Sequence, residues 1–291
     1  MSIRNAFLCA GVNFKKWVVD IKIYTLFILI AVFNLWHFSG IYEYGRMVGF
    51  GVSPWVFPHL FVTPVMMPVY GCFTILLFCD APFIDRHMPF LAIRTGRIAW
   101  VLGQLLYILF TSFLYTLINF VITVLIFFPY IDFTPEWGRV VMTLARNPAS
   151  AYEKGIELTA LIDGSIVTYF SAIEATLISL GLFFLVTFFM GIVIFSLNLI
   201  TGKMWGIITA GILVFISYFS IYVGRLTVGL RVYYFSPLSW CSLRYIDWYG
   251  SGESPSFHYA ILFLLGMSLF LSILSVLFFS KKDINLAQGV E

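Results

Sequence analysis

Long uninterrupted apolar runs, separated by polar segments of very unequal length, dominate the chain. A helix that crosses a bilayer needs about 20 mostly apolar residues. Six stretches answer to that requirement, with soft ends: 23–39, 60–79, 98–130, 172–200, 205–223 and 259–280. Pro64 and Pro68 interrupt the second. The third and fourth are longer than a crossing needs and must tilt or project. The runs are continuous, whereas barrel strands alternate over segments of about ten residues. The expected fold is therefore all-α, a polytopic membrane protein with six transmembrane helices. No repeat, low-complexity tract or linker divides it, so residues 1–291 read as a single domain.

A different period precedes the first run. Ile3, Phe7, Ala10, Phe14, Trp17 and Ile21 recur every three or four residues, with Arg4, Asn5, Asn13, Lys15, Lys16 and Asp20 on the other side. This predicts an amphipathic helix within 1–22, lying in the inner interface with its apolar stripe in lipid and its basic face towards headgroups or a cytosolic partner. A second amphipathic stretch lies within 131–171. Thr134, Pro135 and Glu136 read as a helix start, and Trp137, Val140, Val141 and Leu144 form a stripe that ends near Asn147 and Pro148. A lid over a substrate exit and plain packing between spans both fit it.

Composition agrees with the pattern. Hydrophobic residues make up 61% of the 291, charged residues 11% and aromatics 19%; a soluble domain is nearer 25% charged. Soluble-enzyme, disordered and nucleic-acid-binding classes are excluded. The net charge of +3 is less informative than its placement. With the N-terminus inside, the short inner segments carry Arg4, Lys15, Lys16, Lys22, Arg86, Arg94, Arg97, Lys203, Lys281 and Lys282, more than half of the 17 basic residues. The positive-inside rule then predicts both termini in the cytoplasm. The four cysteines show neither a disulfide framework nor zinc spacing, and the first run is too long for a cleavable signal peptide.

The segment 80–97 between the second and third runs, DAPFIDRHMPFLAIRTGR, keeps six large apolar residues among its charges. A solvated loop would not; these side chains need membrane, the rest of the chain or another protein to cover them. A re-entrant connector with ordinary inner arginines also fits. Here the sequence resembles the permease of type II ABC exporters, and is most similar to small permeases of Gram-positive bacteria that export peptides or antibiotics. The amphipathic start, the D-A-P-F-I and L-x-x-R-T-G-R-x-x-W segments of this loop, and six spans with a long outer segment before the last carry the resemblance. It implies a coupling helix within 82–95 that docks on a separate ABC ATPase subunit, with Asp80, Phe83, Arg86, Phe90, Arg94 and Arg97 as coupling residues. It also implies a second permease copy or a relative as partner, a bacterial cytoplasmic membrane, and no cofactor on this chain, ATP and magnesium being held by the ATPase. The chain itself has no G-x-x-x-x-G-K-[ST]: its Gly202-Lys203 pair is followed by Met204.

Polar residues within the apolar runs are pathway candidates by default. These are Asn119, Asn198 and Glu174, although each also reads as packing or as an interfacial group. His37 and His59 read as interfacial residues at the two edges of the first outer loop. No catalytic grouping and no metal-ligand set is legible, so the chain is expected not to be an enzyme. The expected function is an export permease for a hydrophobic or amphipathic peptide, antibiotic or lipid. The rival is an ATP-independent carrier or a membrane-integral sensor. A carrier calls for paired broken spans in two halves, and the Pro64/Pro68 run has no evident counterpart.

Overall fold

A computed structural model describes residues 3–83 and 94–281. Among them every regular element is helical. The helices are α1 (Ile3–Lys16), α2 (Ile21–Val48), α3 (Met66–Phe78), α4 (Arg97–Leu125), α5 (Gly138–Arg146), α6 (Ala149–Tyr152), α7 (Gly164–Tyr169), α8 (Ala172–Thr201), α9 (Trp205–Phe219) and α10 (Phe257–Lys281). A π turn at Ser220–Gly224 and a last turn at Arg225–Thr227 extend α9. Five of these, α2, α4, α8, extended α9 and α10, are long and apolar enough to cross a membrane. The chain is a multi-pass membrane protein.

The expected second span is the exception. Residues 60–79 are helical only from Met66, and the 13 residues of α3 reach about 20 Å at 1.5 Å per residue, short of a hydrocarbon core of about 30 Å. Pro68 sits in the first turn of α3, where a missing N–H is tolerated. Ahead of it, Phe57–His59 form a 3-10 turn and Phe57, Leu60, Phe61 and Val62 are fully buried. Irregular backbone is tolerated at such depth when protein covers it. The first span is longer than expected: its 28 residues start after Asp20, which accepts the N–H of Lys22, and stop at Gly49, left-handed at φ +74°.

α8 is the axis of the bundle. Inside the fold, 61% of its apolar window is buried, against 17% for α10, so α10 leaves most of its surface to lipid. α8 packs on α3, α4, α9 and α10. Gly191 permits close approach to two of these helices at once, because a Cβ there would lie 2.7 Å from Ile108 of α4 and 2.9 Å from Phe78 of α3.

α1 corrects the expected placement of its stripe. It lies along the first turns of α4 through the small residues Ala6, Cys9 and Ala10, all buried. A Cβ on Gly103 of α4 would come 2.8 Å from the Ala6 carbonyl. Asn13, expected on the polar face, is buried, and its Nδ2 donates to Gln104 Oε1 at 2.5 Å; Trp17 Nε1 donates to the Tyr107 hydroxyl at 2.8 Å. Ala10 is thus covered by protein rather than lipid, Phe14 meets the Tyr107 ring edge-on at 4.9 Å, and Phe7 remains half exposed.

We call the end of the bundle that carries α1, the end of α3 and the start of α4 basal, and the opposite end distal. The distal end is roofed by the segments 49–65, 126–171 and 228–256. In this roof the expected stripe is present, since Trp137, Val140, Val141 and Leu144 are buried. Its helix starts at Gly138, however, with no side-chain cap, and Thr134 does not cap it. The stripe faces inward: a Cβ on Gly45 of α2 would meet Val140 at 3.7 Å.

Candidate functional site

The chain leaves α3 through Cys79 and Asp80 and enters α4 at Arg97. Each described end of this loop is tied to a different helix. The Asp80 carboxylate pairs with the Lys22 ammonium at the start of α2, and Asp20 lies 3.9 Å from the same ammonium. The Ala81 carbonyl accepts from Asn198 Nδ2 at 2.8 Å. Phe83, with a left-handed φ of +58°, sets its ring edge-on against Tyr107 of α4 at 4.9 Å. On the far side, Cys9 of α1 and the Thr95 hydroxyl approach to 3.8 Å. Arg97 Nη1 donates to the Ser280 carbonyl of α10 at 3.3 Å, where a cation complements the C-terminal helix dipole. Trp100, one turn on, packs on Phe279 at 4.8 Å. The loop therefore hangs from α1, α2, α4, α8 and α10 together.

Of the expected coupling residues, Asp80, Phe83 and Arg97 are engaged in these anchoring contacts, and Arg94 is exposed. Arg86, Phe90 and most of the expected coupling helix lie outside the described residues.

The expected pathway residues do not come together. Asn198 is a bracket at the basal end: besides holding Ala81, its Oδ1 accepts the Gly206 N–H at 2.7 Å, fixing the turn from α8 to α9. Gly206 itself has no room for a Cβ, which would run into the Ile194 carbonyl. Glu174 is exposed in the first turn of α8 at the distal end. Its N–H donates to the Ser171 hydroxyl oxygen at 3.3 Å, and the carboxylate lies 3.5 Å from the same oxygen. Ser171-x-x-Glu174 is a helix-start signature that polarity within an apolar run concealed. Asn119 is fully buried towards the distal end of α4, its Nδ2 donating to the Tyr115 carbonyl at 2.8 Å.

His37 and His59 were expected at an interface and are fully buried instead. His59 Nδ1 accepts the Asp163 N–H at 3.3 Å, and its ring lies 5.2 Å from Trp137. Burial holds the His59 imidazole well below its ordinary range, at about 4, against the opposing pull of the Asp163 carboxylate. Asp163 in turn lies 3.5 Å from Arg244 Nε, tying the segment 126–171 to the segment 228–256. The sequence signal was the run V-F-P-H-L-F-V at 56–62, apolar on both sides of the histidine. A carboxylate orders the neighbouring turn as well. Asp247 accepts the N–H groups of Tyr249, Gly250 and Gly252. Backbone N–H groups, that of Gly252 first, hold it down at about 2.

Among the described residues no three His, Cys, Asp or Glu side chains come together as a metal-ligand set. All four cysteines are free thiols. No protein-family model matches the chain, and no curated protein sequence matches it.

Proposed function

We propose that this chain is the permease subunit of an ATP-driven exporter of the ABC class, working as a pair of copies or with a relative, and powered by separate ATPase subunits. The observation that carries the reading is the suspension of the 80–97 loop from five helices at one end of the bundle. A push on such a loop is distributed to α1, α2, α4, α8 and α10 at once, as conversion of an ATPase motion into a shift between inward- and outward-facing states requires. The exposed Arg94 is available to a partner. In this reading residues 60–65, of which Leu60, Phe61 and Val62 are buried, and α3 together form a sixth crossing. That crossing returns the chain from the distal end to Lys22 and leaves both termini with the basic segments in the cytoplasm. Asp80, Phe83 and Arg97 then transmit force rather than touch the ATPase, and Asn198 joins them. The 32 phenylalanines and nine methionines suit an apolar pathway wall, and with it an apolar or amphipathic cargo.

Two experiments test this reading. A P-loop ATPase should copurify with the tagged chain from its native membrane, and its absence would favour the carrier or sensor class. In a background with the native cysteines replaced, cysteines at Ser150 and Ser251 should react with an impermeant thiol reagent outside intact cells. One at Thr95 should react only after the membrane is opened; outside reaction at Thr95 would reverse the orientation and remove the coupling role.

A further inference from the structure

The roof segment that follows α9 brings two arginines to one patch at the distal end. α9 and its extension run from Trp205 to Thr227. Arg225 follows Trp205 by twenty residues, about 30 Å at 1.5 Å per residue and so the thickness of a hydrocarbon core. Its exposed guanidinium therefore stands where the span leaves the lipid interior. The neighbouring side chains agree with that level. Phe215, Tyr218 and Tyr222, one to three turns before it, are exposed along α9, and the Tyr218 and Tyr222 rings meet at 4.6 Å. Tyrosines of this kind collect where hydrocarbon gives way to headgroups.

A chain of contacts leads from Arg225 to the second arginine. A Cβ on Gly224 would lie 2.7 Å from Val232, so the end of α9 packs directly on the 3-10 turn Leu230–Phe235. Tyr233 of that turn lies on Tyr245 with ring centroids 4.6 Å apart. Arg244 precedes Tyr245, its Nε 3.5 Å from the Asp163 carboxylate. Both guanidiniums act on both phenols. Burial raises the Tyr233 hydroxyl to about 12, Tyr245 adds to the rise, and Arg225 and Arg244 oppose it. Burial also raises the Tyr245 hydroxyl, against Arg244 and Arg225. Among the described residues Asp163 is the one carboxylate within 4 Å of either guanidinium, so two positive charges share one negative and Arg225 has no ion-pair partner. The buried Tyr233 hydroxyl has no hydrogen-bond partner, which leaves a third donor beside the two cations.

We propose that Arg225 and Arg244 form a binding site for the phosphate of an anionic phospholipid in the distal leaflet, with the acyl chains lying along Tyr222, Tyr218 and Phe215. The guanidinium fork matches two phosphate oxygens at once, and the level of Arg225 is that of a headgroup. The uncompensated positive charge selects an anionic headgroup over a zwitterionic one, whose own cation the patch repels. A lipid held here bridges the end of α9 and the segment 228–256, and through Asp163 it reaches the segment 126–171 as well.

The test is native mass spectrometry of the full-length chain in detergent, titrated with phosphatidylglycerol, with phosphatidylcholine of the same acyl chains, or with inorganic phosphate. The unmodified chain should bind phosphatidylglycerol more tightly than phosphatidylcholine. Arg225→Gln should weaken phosphatidylglycerol binding about tenfold, the worth of a charge-assisted hydrogen bond, and Arg225→Lys should weaken it less. Arg146→Gln removes an exposed cation elsewhere in the roof and should leave lipid binding unchanged. The melting temperatures of all three variants should match that of the unmodified chain. Phosphatidylglycerol binding that survives Arg225→Gln undiminished, or that Arg146→Gln weakens equally, would overturn the site. Inorganic phosphate bound as tightly as the lipid would also overturn it, since the ligand would then be a free anion.

Discussion

The two ends of the bundle are held in different ways. The distal roof is thick: three segments pack on one another through the buried Trp137, Phe57 and His59, and the Asp163–Arg244 pair ties two of them at the surface. The basal end has a few point attachments, each a single side chain reaching from a helix end to the loop, such as Asn198 to Ala81, Lys22 to Asp80 and Arg97 to Ser280. Many buried contacts resist displacement as a unit. A few directed bonds hold an element in place yet pass a force from it to every helix they reach. The contrast fits a molecule that is closed at one end and driven from the other.

The strongest way to break the comparison is to remove close approaches that both ends need. Gly206→Leu at the basal turn and Gly40→Leu beneath the roof should each destabilise by about 3 kcal/mol or more through overpacking. At Gly40 a Cβ would run into the Glu157 carbonyl. Gly211→Ala, with no heavy atom within 4 Å of the added carbon, should be neutral or stabilising by up to about 1 kcal/mol. Thermal unfolding in detergent, followed by tryptophan fluorescence, ranks the three.

Next is the bracket. Asn198→Leu leaves the Ala81 carbonyl and the Gly206 N–H unpaired and should cost about 2–4 kcal/mol. Asn198→Asp keeps the acceptor for Gly206 and should cost less. Equal losses would mean that the bond to the Gly206 N–H contributes nothing and that the cost lies in the lost donor to Ala81.

The roof should answer to pH. Burial lowers His59 from 6.5 to about 4, so the unfolded chain binds a proton in that window and the folded chain does not. The stabilisation is complete above pH 6.5 and lost as pH falls towards 4, roughly 3 kcal/mol in all. A melting series should show this slope in the unmodified protein and a shallower one in His59→Asn; identical slopes would remove His59 from the roof's energetics. The smallest effect belongs to a basal attachment. Arg97→Gln should cost about 0.5–1 kcal/mol, the worth of a half-exposed cation at a helix C-terminus.

Much of this architecture was legible in the sequence. Apolar runs located the five long helices because burial in lipid needs no partner residue, and the Val140, Val141, Leu144 stripe located α5. Hydropathy did not reveal what depends on a partner. It placed Asn13 on the solvent face of α1 because nothing local announces Gln104. It placed His37 and His59 at an interface because a polar ring in an apolar run looks alike whether it meets headgroups or the Asp163 backbone. It extended a helix to residue 60 because an irregular segment buried in protein is as apolar as a helix buried in lipid. The 80–97 loop stands out by its apolar composition, but its anchors come from α1, α2, α8 and α10, far away in the chain. Glu174 could have been read correctly from Ser171 three residues earlier.

Reversing charge on the loop tests whether an ATPase drives the basal end. Arg86→Glu combined with Arg94→Glu, compared with the unmodified chain at equal permease level in the membrane, should abolish ATPase copurification and substrate-stimulated ATP hydrolysis. The melting temperature should stay unchanged if both charges serve the partner rather than the fold, as the exposure of Arg94 suits. Undiminished ATPase binding and turnover in the double variant would contradict the coupling role of the loop.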